Sequence, residues 1–232
     1  MTPSNDQNVR HRLKKITLLS PLSDADIDNF GKKIRWTEIA SSKSVIERGN
    51  KDTNVYFIIT GTVHVLNYAK SGRAITYAIL KEGDMFGELA AIDGLPRSAW
   101  VCTNTPCLLG TTAGSEFLKL VSNNRNVSLA LLRRMSSNIR LSDERLTDVT
   151  LLGAEQRACM ELIRMAKPDV DAPGGHIITP MLTHANFANL IGVSRETVSR
   201  IFRKLREESL IIRNKRGLCI TNREQLERRA FM

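Results

Sequence analysis

The stretch 86–101 (FGELAAIDGLPRSAWV) brings together side chains suited to holding a small anion. Arg97 has a planar guanidinium whose parallel N–H donors match two oxygens of a phosphate group. Phe86–Ala90 is expected to begin a short helix, whose free N–H groups favour an anion. Glu88 can accept a hydrogen bond from a ribose hydroxyl. The alternative for these residues is a structural salt bridge between Glu88 and Arg97.

The stretch 182–205 (LTHANFANLIGVSRETVSRIFRKL) predicts a helix, a tight turn and a second helix. Thr183 and Ser194 are of the type that caps a helix N-terminus, and Gly192 supplies the permissive backbone of the turn. Apolar residues at helical spacing form the inward faces: Phe187, Leu190, Ile191, Val198, Ile201 and Leu205. The alternative is an ordinary helical hairpin with a solvated charged face.

The outer face of the second helix carries groups that can recognise DNA. It is expected to present Arg195, Glu196, Ser199 and Arg200. The first residues of a recognition helix reach base edges, where arginine bonds guanine and glutamate accepts from cytosine. An acid among arginines opposes plain phosphate binding, so Glu196 favours sequence-specific reading. Three hydroxyl residues at the helix starts suit phosphate contacts, and these are Thr183, Ser194 and Thr197.

The charge distribution agrees with a polyanionic partner for the C-terminal part. The chain has a net charge of +10. From Thr183 to the end there are eleven basic and five acidic residues, so this stretch holds over half of that charge. Segments Leu210–Arg213 and Leu218–Thr221 flank the turn Asn214–Gly217. They predict a basic β-hairpin, the wing of a winged helix, able to contact backbone phosphate.

The elements that must position these residues begin with short strands. Segments rich in β-branched and aromatic residues, separated by turn residues, predict an antiparallel barrel or jelly roll. Gly61 and Ser71-Gly72 are expected as hairpin turns. The predicted strands are Ile34–Ile39, Asn54–Thr60, Thr62–Tyr68, Ala74–Leu80, Ser98–Thr103 and Cys107–Thr112. The predicted short helices are Leu13–Leu19, Asp24–Lys33 (capped by Ser23) and Ser115–Val121.

A long helix is predicted over Asn126–Leu152, because this segment contains no glycine or proline. Its apolar residues follow a heptad-like seam typical of helix pairing. The seam residues are Leu132, Met135, Ile139, Leu146 and Val149, with Ser142 at the one polar seam position. We expect this seam to dimerise; the alternative is a helix packed on its own domain.

The predicted fold class is α+β, in three parts. Residues 1–125 form a β jelly roll, 126–152 a dimerisation helix with a hinge near Asp148–Gly153, and 153–232 a winged helix-turn-helix domain. Within the last part, a helix is predicted over Glu155–Ala166, before the loop Asp169–Gly175.

Several classes of protein are not expected. The four cysteines and four histidines lack zinc-site or disulfide spacing, so no metal is expected. The chain shows no nucleophile–base pair and no phosphate-binding Gly-Lys loop, so we expect no enzyme. The N-terminus lacks an apolar signal core and no apolar run is long enough to cross a bilayer. We therefore expect a cytoplasmic protein without a membrane partner.

These motifs resemble those of a known family. The stretch 86–101 is similar to the phosphate-binding cassette of cyclic-nucleotide-binding domains, and Gly192–Arg200 (GVSRETVSR) is similar to a helix-turn-helix of the same family. With the long helix between them, they resemble the Crp/Fnr family, and within it the catabolite-activator (cyclic AMP receptor) group. The resemblance extends over about Leu13 to Thr221.

The resemblance assigns further roles. It implies that the ribose and cyclic phosphate are held by Gly87, Glu88, Leu89, Arg97 and Ser98. Matching backwards from Arg157 places the purine contacts, one from each subunit, at Ser142 and Asp143. The family has hydroxyl residues at both places, so Asp143 leaves cyclic AMP and cyclic GMP open as effectors. An iron–sulfur cluster is not expected, since the first cysteine is Cys102, and haem is not expected, since the haem-binding members of the family usually lack this phosphate cassette.

The implied function is an allosteric transcription regulator; the family relation suggests an activator, and activation versus repression stays open. The effector would act at the dimer seam and turn the recognition helices toward a palindromic operator in double-stranded DNA. A homodimer is expected, with RNA polymerase as a further partner. Two alternatives remain: a regulator of the same fold that needs no ligand, and one selective for cyclic GMP.

Overall fold

The computed structural model describes residues 3–68, 74–169, 171–172, 175–179 and 181–231, with side chains from residue 8 onward. The chain divides into two compact units between Asn138 and Ile139. This division falls inside the long helix. Among the described residues, none of the helices combines the length and apolar character needed to span a membrane. The three-part domain division remains a prediction.

The first unit opens with helices. They are α1 (Pro3–Lys14), a 3₁₀ turn (Thr17–Leu19) and α2 (Asp24–Gly31). Ser23 caps α2, since its Oγ accepts a hydrogen bond from the Asp26 backbone N at 3.2 Å. The predicted helix Leu13–Leu19 was wrong: α1 ends at Lys14, and only a 3₁₀ turn follows. Ile16 and Leu19 are buried there, so packing, not helix continuity, explains their apolar character.

Two four-stranded antiparallel sheets form the jelly roll, in the orders β1-β8-β3-β6 and β2-β7-β4-β5. The strands are β1 (Arg35–Ile39), β2 (Ser44–Ile46), β3 (Val55–Thr60), β4 (Thr62–Tyr68), β5 (Ala74–Lys81), β6 (Met85–Phe86), β7 (Trp100–Thr103) and β8 (Cys107–Thr112). All six predicted strands are present; the short β2 and β6 were not predicted. One core lies between the sheets, built from both: Ile46, Ile58, Val63, Phe86, Val101, Cys107 and Leu109.

Gly61 connects β3 to β4, which lie in different sheets. The predicted hairpin turn was therefore wrong, and Gly61 instead carries the chain from one sheet to the other. Its φ of +92° favours glycine, and a Cβ would lie only 2.4 Å from the Pro106 carbonyl oxygen. Ser71-Gly72 lie outside the described residues.

Three more helices belong wholly or partly to the first unit. They are α3 (Glu88–Asp93), α4 (Gly114–Asn123) and the first part of α5 (Arg125–Leu151). Phe117 of α4 and Val127 and Leu131 of α5 share a core with Phe57 of β3 and with α1 and α2. The helices therefore bury one face of the β1-β8-β3-β6 sheet.

The second unit contains the rest of α5 and a small winged domain. Its elements are α6 (Ala154–Met165), β9 (Lys167–Pro168), β10 (His176–Ile178), α7 (His184–Ile191), α8 (Arg195–Glu207), β11 (Ile211–Arg213), β12 (Leu218–Ile220) and α9 (Arg223–Phe231). The strands form one antiparallel sheet, β11-β12-β10-β9. The elements β9, β10 and α9 were not predicted.

Ion pairs fasten the end of α5 to α6. Arg164 Nη2 lies 2.6 Å from Asp148 Oδ2, and Arg145 Nη2 lies 2.7 Å from Glu161 Oε1. Glu161 is buried, so its carboxylate needs these cations. The predicted hinge residues, Asp148–Gly153, thus lie within the second unit.

The Gly61 crossing generates a stability prediction. Gly61→Ala forces a strained φ and a backbone clash, whereas a Cβ at Gly49 (φ +84°) meets no atom within 4 Å. We expect Gly49→Ala to lower the free energy of unfolding by about 1–2 kcal/mol. Gly61→Ala should lower it by about 1–3 kcal/mol more. Urea unfolding followed by the fluorescence of Trp36 and Trp100 measures both, and equal losses would contradict the clash.

Candidate functional site

The predicted anion-binding stretch, residues 86–101, runs from β6 to β7 and contains α3. Gly87 precedes α3 with a left-handed φ of 85°. A Cβ at Gly87 would lie 2.8 Å from both the Arg97 Nη1 and the Asn54 carbonyl oxygen. Glycine at this position therefore lets the backbone approach a guanidinium.

Arg97 is the charged centre of this region, and its side chain is only 2% exposed. Its Nη1 donates to the Gly87 carbonyl at 2.7 Å, and its Nη2 donates to the Asn54 carbonyl at 2.7 Å. The Nε donates to Asp52 Oδ2 at 3.2 Å, and Nη2 also forms an ion pair with Asp52 Oδ1. The guanidinium carbon lies 6.0 Å from the Tyr56 ring centroid. Arg97 is thus buried in a ready-made set of acceptors.

Asp52, in the loop between β2 and β3, was missed by the sequence analysis. The structural alternative paired Arg97 with Glu88, but the carboxylate that bonds Arg97 is Asp52. The hydrogen bond and charge of Arg97 lower the pKa of Asp52 below its usual value. Asp52 is therefore an anion at neutral pH. No sequence pattern near Arg97 indicates this partner, because it lies 45 positions away.

Glu88 begins α3 and is 9% exposed. Burial raises the pKa of its carboxyl, and the positive charges of Arg134 and Arg97 oppose that shift. Arg134 reaches this region from α5, donating to the Met85 carbonyl at 2.9 Å and pairing with Asp84 at 3.3 Å. Arg134 was not among the predicted site residues. A buried carboxyl beside two cations can accept from or donate to a sugar hydroxyl.

The remaining predicted ligand residues are solvent-accessible. Leu89 and Ser98 are exposed at the two ends of the cassette in the first unit. Ser142 and Asp143 are exposed on α5, in the second unit. Their roles as purine contacts remain predictions.

The predicted seam on α5 consists largely of exposed apolar side chains. Leu132, Ile139, Leu146 and Val149 are between 59% and 68% exposed. Met135 differs, because it is half-buried against the core of the first unit. For the four exposed residues, packing within their own chain does not explain the apolar pattern.

The two predicted caps of the helix-turn-helix are confirmed. Thr183 Oγ1 accepts from the Asn186 backbone N at 3.2 Å, and Ser194 Oγ accepts from the Thr197 backbone N at 3.1 Å. The residues between them form α7, a turn and α8. The inward residues Phe187 and Val198 are fully buried. The start of α8 is therefore held rigidly against α7.

The outer face of α8 differs from the prediction at one residue. Arg195, Glu196 and Arg200 are exposed as predicted, but Ser199 is half-buried. Its Oγ lies 2.8 Å from His184 Nδ1, so its hydroxyl ties α8 to α7. Burial, followed by nearby arginine charges, lowers the pKa of His184 below its usual value. The neutral imidazole is favoured, and Ser199 is a structural contact in this arrangement.

Glu196 is held as an anion. Its own backbone N–H and the Ser194 hydroxyl bond its carboxylate and lower its pKa. Arg195 adds a smaller favourable charge. An ionised carboxylate is the form that accepts from a base amino group.

The wing is the β11–β12 hairpin with the turn Asn214–Gly217. Arg216 is bound by two carboxylates, lying 2.8 Å from Asp169 Oδ1 and also pairing with Asp171. Lys215 is exposed beside it. The positive charge available at the wing tip is therefore mainly that of Lys215.

No metal centre emerges from the part of the chain that the structure describes: His, Cys, Asp and Glu side chains form no group of three or more suited to an ion. The cysteines are free thiols. Burial raises the pKa of Cys159 to about 12, so this thiol is unreactive at neutral pH.

Comparison with known families matches both parts of the chain. Residues 37–124 match the cyclic nucleotide-binding domain, and residues 156–229 match the Crp-like helix-turn-helix domain. These two family matches together cover most of the chain.

The alignments with curated relatives span most of the length of each relative. The cAMP-activated global transcriptional regulator CRP of Salmonella typhimurium is 29% identical over 84% of this chain and 94% of the relative. The CRP-like cAMP-activated global transcriptional regulator of Mycobacterium tuberculosis is 26% identical over 86% and 89%.

Solved structures share the fold. The c-di-GMP responsive global regulator CLP of Xanthomonas campestris has a TM-score of 0.69 at 18% identity, over 86% of this chain and 100% of that chain. A CooA mutant from Carboxydothermus hydrogenoformans has a TM-score of 0.72 at 17% identity, over 86% and 88%.

Proposed function

The chain belongs to the Crp/Fnr family of DNA-binding transcription regulators, and from this premise we propose that a cyclic nucleotide, preferentially cyclic AMP, controls its binding to DNA. The observation that carries the proposal is the buried guanidinium of Arg97 beside Gly87 and the start of α3. A buried guanidinium is suited to a phosphate that accepts two parallel hydrogen bonds from it. Glu88, buried on the first turn of α3, would bond the ribose.

The choice of cyclic AMP rests on the relatives, which are named as cAMP-activated regulators. Cyclic GMP remains the alternative, because Asp143 departs from the hydroxyl pattern of the family. A regulator without a ligand has one observation in its favour: Asp52 already neutralises Arg97.

We propose that a second copy of the chain covers the exposed seam of α5. A stripe of exposed leucine, isoleucine and valine side chains at heptad spacing gains free energy by pairing with its own copy. A two-fold dimer places two recognition helices about 34 Å apart, so the operator would be palindromic.

We assign recognition of the DNA base sequence to three residues that are exposed in the N-terminal half of α8: Arg195, Glu196 and Arg200. The capping residues Thr183 and Ser194, with Thr197, would contact backbone phosphates at the helix starts. The wing lysine, Lys215, would contact the backbone. Contact with RNA polymerase remains a prediction.

Replacing the phosphate-binding fork tests the effector. Arg97→Gln should weaken binding of cyclic AMP by about 100-fold or more, because a charged bidentate contact is lost. Calorimetry with cyclic AMP and cyclic GMP measures this, and tryptophan fluorescence checks the fold. Arg35→Gln, a change of an exposed arginine in the same unit, is the matched control and should bind normally. Equal affinities for wild type and Arg97→Gln would remove the cassette from the proposed function.

Replacing a base-reading arginine tests the DNA contact. Arg200→Ala should cost about 1–3 kcal/mol on an operator selected from randomised DNA, and much less on unrelated DNA. Lys215→Ala should weaken binding to both DNAs alike, because a phosphate contact carries no sequence information. Fluorescence anisotropy with labelled duplexes measures both. An equal loss for Arg200→Ala on both DNAs would show that it contacts only phosphate.

Charging the seam tests the dimer. Leu146→Glu places a carboxylate in the proposed helix pair and should convert the dimer to a monomer in analytical ultracentrifugation. Leu151→Glu changes an equally exposed leucine outside the seam and should leave the dimer intact. A dimer that survives Leu146→Glu would place the interface elsewhere.

A further inference from the structure

The acceptors around Arg97 leave little of its guanidinium available. Arginine has five N–H donors. Bonds to Asp52, Asn54 and Gly87 use four of them, and among the described residues one N–H on Nη1 is left over. A phosphate bound through the arginine fork needs two parallel donors. Such a ligand must therefore take donors from a partner that already holds them.

Asp52 is the partner that can leave. Gly87 and Asn54 bond Arg97 through backbone carbonyls, which are fixed by the cassette and by the start of β3. Asp52 bonds it through a side chain that is 34% exposed on a surface loop. Its Oδ1 also accepts from the Asn54 backbone N at 3.2 Å, so rotation toward water exchanges both contacts for hydration. An ionised carboxylate released into water regains its hydration.

We propose that Asp52 is an internal anion that competes with the effector phosphate for Arg97 and thereby sets the affinity of the cassette for cyclic nucleotides. This inference rests on the proposed function. Carboxylate and cyclic phosphate each offer two anionic acceptors to the same Nε–Nη2 edge. Effector binding is then an exchange of one anion for another at a buried cation.

Asp52 is not needed to orient the guanidinium. Two carbonyl oxygens at 2.7 Å already fix both terminal nitrogens. Two bonds that do not use the Asp52 side chain also hold the loop: Gly49 N donates to the Arg97 carbonyl at 2.9 Å, and Arg97 N donates to the Asn50 carbonyl at 2.8 Å. The bond from Asn54 N to Asp52 Oδ1 is one that an asparagine or serine at position 52 can still accept. A supporting role predicts that loss of Asp52 weakens ligand binding, whereas competition predicts that it strengthens binding.

The sign of the change in affinity is the test. Calorimetric titration with cyclic AMP and with cyclic GMP compares the full-length wild type with Asp52→Asn and Asp52→Ser. Competition predicts that both variants lower the Kd by about tenfold or more. Glu47→Gln, which removes one exposed charge from the same loop, is the matched control and should change the Kd by less than about twofold. Adenosine lacks the phosphate, so its affinity should not increase with either Asp52 variant.

Each outcome decides between the ideas. An unchanged or raised Kd in folded Asp52 variants, with normal binding by wild type, would overturn the competition and leave the proposed effector standing. Tight binding by the variants with weak or no binding by wild type would support it. If neither wild type nor variants bind a cyclic nucleotide, the proposed function and this inference both fail. Unfolding followed by tryptophan fluorescence identifies a misfolded variant. If one of the two Asp52 variants misfolds, the other is compared with wild type.

Discussion

A guanidinium buried inside a β-domain has to be neutralised, and this constraint organises the candidate ligand site. Arg97 meets it with one carboxylate, Asp52, and two backbone carbonyls. The left-handed backbone at Gly87 brings one of these carbonyls close. Because a buried unpaired charge is strongly unfavourable, any ligand that takes donors from Arg97 must itself be an anion. The same requirement explains why a neutral ligand does not suit this cassette.

The helix-turn-helix and the wing could be predicted well because their determinants are local, whereas β9, β10 and α9 of the same unit were not predicted. Ser194 caps α8 through a residue three positions away, and Thr183 does the same for α7. Both caps and the apolar faces follow from spacing along the chain. Ser199 was misplaced because its partner, His184, comes from the neighbouring helix at a distance that the periodicity does not encode. The helical period predicts the direction in which a side chain points, but not whether a side chain of the neighbouring helix reaches it.

In the first unit, the features that were not predicted depend on long-range contacts. The strands are evident from composition, yet β2 and β6 are too short to show a pattern. Gly61 is typical of a hairpin turn, but the strands that it joins belong to different sheets, because β3 pairs with β8 and β4 pairs with β7. The partner of Arg97 also comes from a distant loop, so the cassette motif identifies the arginine without its electrostatic state. The structure is needed to identify the carboxylate that neutralises this arginine.

The exchange of anions at Arg97 also specifies what differs between the two states of the cassette. Both states keep the buried cation neutralised, so the barrel core has no reason to repack. Under the proposed exchange, the position of the Asp52 side chain changes instead. Thr53, the next residue, packs against the first residue of α4: a Cβ on Gly114 would lie 2.6 Å from the Thr53 carbonyl oxygen. Because α4 leads directly into α5, the loop that carries Asp52 packs against the helix that precedes the seam-bearing helix.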